Sequence, residues 1–343
     1  MTKRAAAALS ITLALGALPA ASAAPGPAAA PAVVLKIASI APERSPWGKA
    51  LEKVAAEWER LSNGAVRVRI FPGAIAGNEQ DMIRKMRLGV LQGGVFSSMG
   101  LAKVDPSLTV LSIPFLFRSR EEFNSVFERV TPTLEKTIEG KGFHVVLWTL
   151  AGWVNFFTKG PVVDPDDLKK FKMSVTADFP DIEQVWKRMG FEVVTGEEKT
   201  LLIQLQSGAA SGAYLPPLLA ASGQYFPLVP HMFGPSLAPL VGGLLLSGRA
   251  WASLPAELHQ PFLEAVVSAA RGLYDETMAL EADAVKMMKE NGLVVHDAPP
   301  DMLAKWYETA DRAVDKLIGP VFSKELYDRV VGYVQEYRKD RGR

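Results

Sequence analysis

Apolar residues in the first part of the chain follow two spacings, one typical of strands and one typical of helices. Residues 34–38 form a mostly apolar run, which predicts a strand. Apolar residues then recur every three or four positions, which places them on one face of a helix. This stripe consists of Trp47, Leu51, Val54, Trp58 and Leu61. Ser45 and Pro46 are typical of the start of that helix, and Asn63-Gly64 is typical of its end.

The same alternation continues beyond the first helix. Residues 66–70 alternate apolar side chains with arginine, which predicts a half-exposed strand. Residues 79–88 then predict a helix, and residues 94–96 predict a further short strand. This β-α-β-α-β order favours a largely parallel, doubly wound sheet.

A second α/β unit begins near His144. Its predicted strands are residues 145–148, 172–175 and 191–194, and its predicted helices are residues 164–168, 182–189 and 201–206. Residues 237–246 are the most apolar stretch, and their proline and glycines favour a buried strand over a membrane span. From Pro255 onward the pattern predicts long helices. Two α/β lobes and a helical tail fit the length of 343 residues, which suggests about two domains.

The N-terminus has the pattern of a secretory signal. Lys3 and Arg4 precede an uncharged, mostly apolar run over residues 5–17. Ala21-Ser22-Ala23 fits the small-x-small cleavage rule, so we predict a signal peptide over residues 1–24, cleaved near Ala23, and a periplasmic mature protein. Residues 25–32 are rich in alanine and proline and predict a tether. A membrane anchor is disfavoured because the run is too short to span a hydrocarbon core of ~30 Å.

Composition excludes several classes of function. Lys plus Arg number 38 and Asp plus Glu 37, so the chain lacks the basic excess of a nucleic-acid binder. There is no cysteine, which excludes disulfides, thiol nucleophiles and cysteine-ligated metals. None of the four histidines has the H-E-x-x-H spacing, and no nucleotide-binding or nucleophile-elbow motif is present. We therefore predict no catalytic residues, no metal, no cofactor and no enzymatic activity. His231, in an apolar loop, is interpreted as a hydrogen-bonded structural residue.

Several short segments resemble a known family in their order and spacing. They are residues 77–80 (GNEQ), 89–94 leading to Ser97-Ser98, 113–117 (IPFLF), 163–169 before 172–175, 205–208 (LQSG) and 251–255 (WASLP). Together they resemble the DctP-type periplasmic solute-binding subunit of tripartite ATP-independent periplasmic (TRAP) transporters. The resemblance spans nearly all of the predicted mature chain.

The resemblance implies an α/β, two-lobed periplasmic binding protein, a type II-like clamp with hinge strands, a long connecting helix and a helical C-terminal tail. Residues 33–143 would form lobe I, with residues 229–255 returning to it. Residues 144–228 would form lobe II, with residues 256–343 packing across both lobes. A small-molecule ligand between the lobes would favour a closed form that docks on the membrane permease subunits.

The chain departs from the family where an acidic ligand is usually held. Family members bind an organic acid with an arginine in a strand of the second lobe, where Ser174 stands here. Val154 stands where the family often has a second arginine, and Tyr214 or Leu215 replaces a common asparagine. A carboxylate in a dry cleft needs a charged or multiply hydrogen-bonded partner. We therefore predict a hydrophobic or neutral ligand, lipid-like or aromatic.

Alternatives remain open. The chain resembles a minority branch of TRAP receptors that carries hydrophobic ligands, sometimes with a tetratricopeptide-repeat partner. Arg44 is a candidate for a non-standard cationic anchor, which would keep an organic-acid ligand possible. A periplasmic lipid carrier or sensor without a permease, and a hydrolase or isomerase on the same clamp, are the competing functions.

Candidate ligand-binding residues are those that follow the predicted strands or replace the family's polar positions, because ligands in open α/β sheets bind beyond the carboxyl ends of strands. They are Trp47, Phe96, Ser97, Ser98, Trp153, Val154, Phe157, Ser174, Tyr214 and Leu215. The alternative for the aromatic residues is a place in the core, and for the two serines a helix cap.

Overall fold

One ten-stranded sheet runs through the protein. The computed structural model describes residues 33–176, 180–196 and 200–342. The predicted signal peptide and tether lie outside these residues. Across the described ranges, no helix is long and apolar enough to cross a membrane.

The strands and helices of the described residues follow one another in a mixed order. The strands are β1 (Val33–Ser39), β2 (Val66–Phe71), β3 (Gly93–Phe96), β4 (Phe143–Thr158), β5 (Lys172–Thr176), β6 (Glu192–Gly196), β7 (Gly212–Leu215), β8 (His231–Phe233), β9 (Ala238–Ser247) and β10 (Val294–His296). The helices are α1 (Pro46–Leu61), α2 (Glu79–Arg87), α3 (Ser98–Val104), α4 (Arg120–Gly140), α5 (Pro165–Leu168), α6 (Pro180–Arg188), α7 (Leu201–Ser207), α8 (Pro217–Ser222), α9 (Gly248–Ala252), α10 (Ala256–Ala270), α11 (Leu273–Glu290), α12 (Pro300–Val314) and α13 (Lys324–Asp340). A 3-10 helix covers Pro106–Ser112.

The sheet has the order β2-β1-β3-β9-β4-β7-β5-β6, and β8 joins it through β4 and pairs with β10. Strand β1 is parallel to β2 and β3, and β5 is parallel to β6 and β7. These two parallel groups are the sheets of the first and second lobes, as the sequence predicted. Between them lie β9 and β4, each antiparallel to its neighbours.

Strand β4 joins the two lobes. Its residues 143–154 lie beside β9, and its residues 155–158 lie beside β7. The register with β9 shifts between Leu150 and Trp153, and such irregularities bend a strand. The sequence analysis predicted only residues 145–148 of this 16-residue strand.

The helical tail contacts both lobes. Trp58 of α1 stacks on Phe262 of α10 with ring centroids 4.6 Å apart, and its indole N–H donates to the Phe262 carbonyl oxygen at 3.0 Å. Further along the tail, Ala284 and Met288 of α11 share a hydrophobic cluster with Leu215 of β7. The tail therefore connects the first lobe to the second on the face of the sheet that α11 covers.

Local signals in the sequence are confirmed where they depend on near neighbours. Ser45 Oγ accepts a hydrogen bond from the Gly48 N–H at 3.1 Å, and α1 begins at Pro46. Asp164 begins α5 with a capping box, as expected of a turn that opens a helix. His231 Nδ1 lies 2.8 Å from His296 Nε2, so this histidine is hydrogen-bonded as predicted.

Candidate functional site

The carboxyl ends of the strands of each lobe face the other lobe. Strand β4 runs from the first lobe to the second, β3 runs in the same direction, and β7 runs back against β4. Ligands of open α/β sheets bind at such ends. The space between them, crossed by β4 and β9, is called the interlobe region below.

The first-lobe candidates are engaged in local structure. Ser97 caps α3, its backbone N–H donates to Glu79 Oε1 at 2.6 Å, and its hydroxyl donates to Glu79 Oε2 at 2.9 Å. Ser98 is the first residue of α3, and Phe96 is buried in the first-lobe core. Trp47 is half-buried in the first turn of α1. Ser97 therefore acts as a helix cap and Phe96 as a core residue, which were the alternatives to ligand binding for these side chains.

The second-lobe candidates lie on two opposite faces of the sheet. Val154 and Tyr214 belong to one hydrophobic cluster, whereas Phe157 and Leu215 belong to the cluster that α8 and α11 cover. Ser174 is half-buried, and its hydroxyl donates to Gln204 Oε1 at 2.7 Å. The ten candidates therefore do not form one continuous surface. Their role in ligand binding stays a prediction.

The positions at which the resemblance predicts the family's anchors hold no cation in this chain. Val154 and Leu215 are buried among apolar side chains. Tyr214 packs against Phe156 with ring centroids 5.7 Å apart, and burial raises the pKa of its phenol. Arg44, the cation considered from the sequence, is exposed in the loop after β1.

An aromatic cluster fills the face on which Val154 lies. Its members are Phe115, Phe156, Trp186, Tyr214, Phe233 and Trp306. Phe115 comes from the first lobe and lies 5.9 Å, between ring centroids, from Trp306 of α12. The Trp306 indole N–H donates to the Val163 carbonyl oxygen at 2.8 Å. This face of the interlobe region is therefore packed with rings that sequence reasoning did not bring together.

Two cavities border the hinge part of β4. The larger, about 580 Å³, lies between β4 and α11 and is called the hinge cavity here. It is lined by Trp153, Asn155, Pro217, Met232, Gly234, Ser236, Met278, Glu281, Ala282, Val285, Lys286, Lys289 and Glu290. The smaller, about 310 Å³, is lined by Phe115, Phe117, Arg118, Ser119, Arg120, Trp153, Pro235, Ser236, Leu303 and Tyr307. Trp153 is the predicted site residue that borders both.

Glu281 is the acidic group that the sequence analysis missed. It lies on α11, lines the hinge cavity and is only 8 % exposed. Burial raises the pKa of its carboxyl group to about 7, although a hydrogen bond from the Trp153 backbone lowers the value in part. Its Oε1 atom has no hydrogen-bond partner within the described ranges. The burial of Glu281 could not be predicted from the sequence, because the pattern around it is that of a solvent-exposed helix face.

The cations near the cavities lie at their edges. Arg118 is exposed and its guanidinium lies 4.5 Å from the centre of the Tyr307 ring. Arg120 is paired with Asp275 at 2.9 Å. Lys286 and Lys289 are exposed on α11, at the other side of the hinge cavity.

Comparison with known proteins identifies the family. A family model described as bacterial extracellular solute-binding protein, family 7 (DctP), matches residues 37–319. The chain belongs to this family. DctP-family proteins are periplasmic solute-binding proteins and not enzymes, and in TRAP systems they bind small ligands and work with membrane permease subunits.

Individual members of the DctP family agree with this assignment. The C4-dicarboxylate-binding periplasmic protein DctP of Rhodobacter capsulatus is 23% identical over 303 residues, which are 85% of this chain and 88% of that protein. A TRAP periplasmic solute binding protein from Sulfurospirillum deleyianum, solved with bound succinate, superposes with a TM-score of 0.76 at 20% identity, over 88% of this chain and 98% of that one. A third, from Desulfovibrio salexigens with bound orotic acid, has a TM-score of 0.78 at 20% identity and covers 89% and 99% of the two chains. The two-lobed α/β fold is therefore the TRAP solute-binding fold.

Proposed function

We propose that this TRAP receptor binds a hydrophobic small molecule, lipid-like or aromatic, whose buried end carries no negative charge. The observation that carries the proposal is the chemistry of the anchor positions. Where the family resemblance places cationic or polar anchors, this chain has buried Val154 and Leu215 and a serine hydroxyl already bonded to Gln204. An anion buried at these positions would lose its hydration without gaining a charged partner.

The walls of the hinge cavity support the same ligand class. They are formed largely by Trp153, Pro217, Met232, Met278 and Val285. Burial of ~200 Å² of apolar ligand surface would stabilise the complex by ~5 kcal/mol before the cost of association. The one side chain that is both acidic and buried in this cavity, Glu281, disfavours a ligand anion nearby.

A second candidate is an organic acid held by an unusual cation. The relatives solved with succinate and with orotic acid bind carboxylates. Arg118 lines the smaller cavity beside Trp153 and Ser236 and has no ion pair with a carboxylate in the described part of the chain. A carboxylate could therefore pair with Arg118 while its apolar body packs against Trp153 in the smaller cavity.

Extraction of the native ligand separates the two candidates. The protein is produced with its native N-terminus, purified without denaturation and analysed by native mass spectrometry, and the bound solute is then extracted into organic solvent. We expect an apolar solute without a carboxylate. A dicarboxylate or sugar acid, released by Arg118→Gln but not by a matched Arg60→Gln variant, would instead establish the second candidate.

Membership of the family implies which proteins receive the ligand from this receptor. We infer a signal peptide over residues 1–24 and delivery to a TRAP permease, with a tetratricopeptide-repeat protein as a further partner. Genes for the two membrane subunits beside this one would support the permease. Their absence would favour a periplasmic carrier or sensor, for which the same fold serves without transport.

Introducing the family's anchor at Ser174 should change ligand choice. Ser174→Arg places a guanidinium beside Gln204 in a half-buried site, and an unpaired charge there disfavours an apolar ligand. We expect the dissociation constant of the extracted apolar ligand to rise at least ~10-fold in titration calorimetry, which corresponds to ~1.4 kcal/mol. Ser207→Arg, which adds the same charge at an exposed position on α7, should leave it unchanged. If Ser174→Arg and Ser207→Arg bound the apolar ligand with equal affinity, Ser174 would not be part of the binding site.

A further inference from the structure

Glu281 is a buried carboxyl group without a countercharge. It is more than nine-tenths buried, and its Oε1 atom has no hydrogen-bond partner among the residues that the structure describes. Buried acidic side chains are ordinarily paired or bound to a cation. The missing partner of Glu281 is therefore either a proton or a positively charged group that enters the cavity.

The position of Glu281 is held by the backbone around it. Gly152 of β4 lies so close that a Cβ atom there would come within 2.6 Å of Glu281 Oε1. The Trp153 backbone, one residue on, hydrogen-bonds the carboxyl group. The carboxyl group thus lies between the hinge strand and α11, and Glu281 lines the hinge cavity. Preorganised polar groups of this kind set the orientation of a ligand in an otherwise apolar pocket.

The charged groups around the hinge cavity are few and lie on α11. Lys286, Lys289 and Glu290 line it from the same helix and are exposed, and Tyr274 lies one to two turns before Glu281. At a rise of ~1.5 Å per residue, Lys286 and Lys289 are displaced by about 7 and 12 Å along the helix axis. The cavity residues contributed by β4, β8 and the loop before β9 are uncharged. Among the described residues, no cation lines the acidic end of the cavity, and the lysines lie towards its other end. Arg120 of α4 lies nearby, 3.8 Å from the centre of the Tyr274 ring, and is already paired with Asp275 at 2.9 Å.

We propose that the hinge cavity binds a primary organic ammonium whose charged nitrogen donates to Glu281 and whose apolar body packs against Trp153, Met232 and Met278. This inference rests on the proposed function, because it names the polar group of the hydrophobic ligand. An indole such as that of Trp153 attracts a cation in addition to making apolar contacts. The volume of about 580 Å³ lies within the range of small-molecule sites.

The ionisation of Glu281 gives the proposal a pH signature. Its pKa of about 7 means that the carboxyl group is mostly protonated at pH 6 and mostly ionised at pH 8. An alkylammonium, like lysine at ~10.4, stays charged over this range. Affinity for an ammonium should therefore rise between pH 6 and pH 8, whereas affinity for an uncharged analogue should not.

Three matched probes test the inference by titration calorimetry on the full chain freed of bound solute. They are 2-phenylethylammonium, 2-phenylethanol and 3-phenylpropionate. We expect the ammonium to bind at least 10-fold tighter than the alcohol at pH 8 and to lose most of that preference at pH 6. Glu281→Gln should reduce the ratio of ammonium to alcohol affinity at pH 8 to within twofold of one. Glu276→Gln, an exposed acid on the same helix that does not line the cavity, should retain the preference.

The outcomes separate this inference from the proposed function. Equal binding of the ammonium and the alcohol, or an undiminished preference in Glu281→Gln, overturns the ammonium site but leaves a receptor for apolar solutes. Tightest binding of 3-phenylpropionate overturns both. If circular dichroism shows that Glu281→Gln does not fold, the wild-type protein decides alone at pH 8, because equal affinity for the ammonium and the alcohol overturns the inference.

Discussion

Replacement of Gly152 by alanine is expected to lower the free energy of unfolding by about 3 kcal/mol or more. Gly152 has a φ of 117°, a conformation that side chains with a Cβ atom rarely adopt, and the strain of such a residue is ~1–3 kcal/mol. The added methyl group would also come within 2.6 Å of Glu281 Oε1. Relief of this contact requires the buried Glu281 side chain to rotate away and give up its hydrogen bond to the Trp153 backbone. Urea denaturation followed by circular dichroism measures the loss.

The two contributions can be separated with matched variants. Gly208→Ala changes a glycine that also has a positive φ, 74°, but its new Cβ atom would meet no atom within 4 Å. Gly208→Ala should therefore lower the free energy of unfolding only by the cost of the backbone strain, ~1–2 kcal/mol. The double variant Gly152→Ala with Glu281→Ala should recover part of the loss, since contacting residues are not additive. If Gly152→Ala and Gly208→Ala lowered the free energy of unfolding equally, the Glu281 carboxyl group would move aside at no energetic cost.

The elements readable from the sequence are those whose signals are local. The first strand and helix were predicted to within about one residue, because Ser45 and Pro46 mark the start of α1 and an apolar stripe marks its buried face. The parallel pairing of the first three strands followed from the β-α-β order. In these segments neighbouring residues decide the structure, so one sequence is sufficient.

The hinge was harder to read because tertiary contacts determine it. β4 contains Gly152 and a register shift, so its apolar pattern loses the period of two, and only residues 145–148 were predicted. The helix α4 was not predicted at all, because its Pro132 interrupts an otherwise helical pattern. In the tail, the break at Pro299-Pro300 and the two helices after it are confirmed as α12 and α13, whereas the helical stretch predicted over residues 258–292 divides at Gly272, which has a φ of 79°.

The candidate site also contains features that local sequence predicts and features that only tertiary contacts determine. The loss of the expected arginine at Ser174 could be read directly from the sequence, and Trp153 does border both cavities. The placement of Glu281 and Trp306 could not be read, because they lie more than 120 residues along the chain from Trp153 and Phe156. Only the packing of α11 and α12 against the interlobe region brings them to Trp153 and Phe156.

A partly buried ion pair links the C-terminal helix to the first lobe. Arg338 Nε donates to Glu122 Oε1 at 2.6 Å, and an Arg338 terminal nitrogen donates to the Leu116 carbonyl oxygen at 2.9 Å. Glu122, 3 % exposed, also accepts from the Arg118 backbone N–H at 2.7 Å through its other oxygen. The pair therefore fixes the loop that carries Phe115 into the aromatic cluster and Arg118 to the smaller cavity.

Arg338→Met should accordingly cost about 3–5 kcal/mol of stability, because it leaves the Glu122 carboxylate buried without its cation. Arg60→Met removes an equivalent side chain from an exposed pair with Glu57 on α1, and its effect should be small. The double variant Glu122→Leu with Arg338→Met should recover much of the loss, since a buried pair replaced by apolar groups of similar volume is often nearly neutral. Denaturant unfolding of the four proteins measures these differences. If Arg338→Met matched Arg60→Met, the pair would contribute no more than a surface ion pair, and the Phe115 loop would be held by its apolar contacts alone.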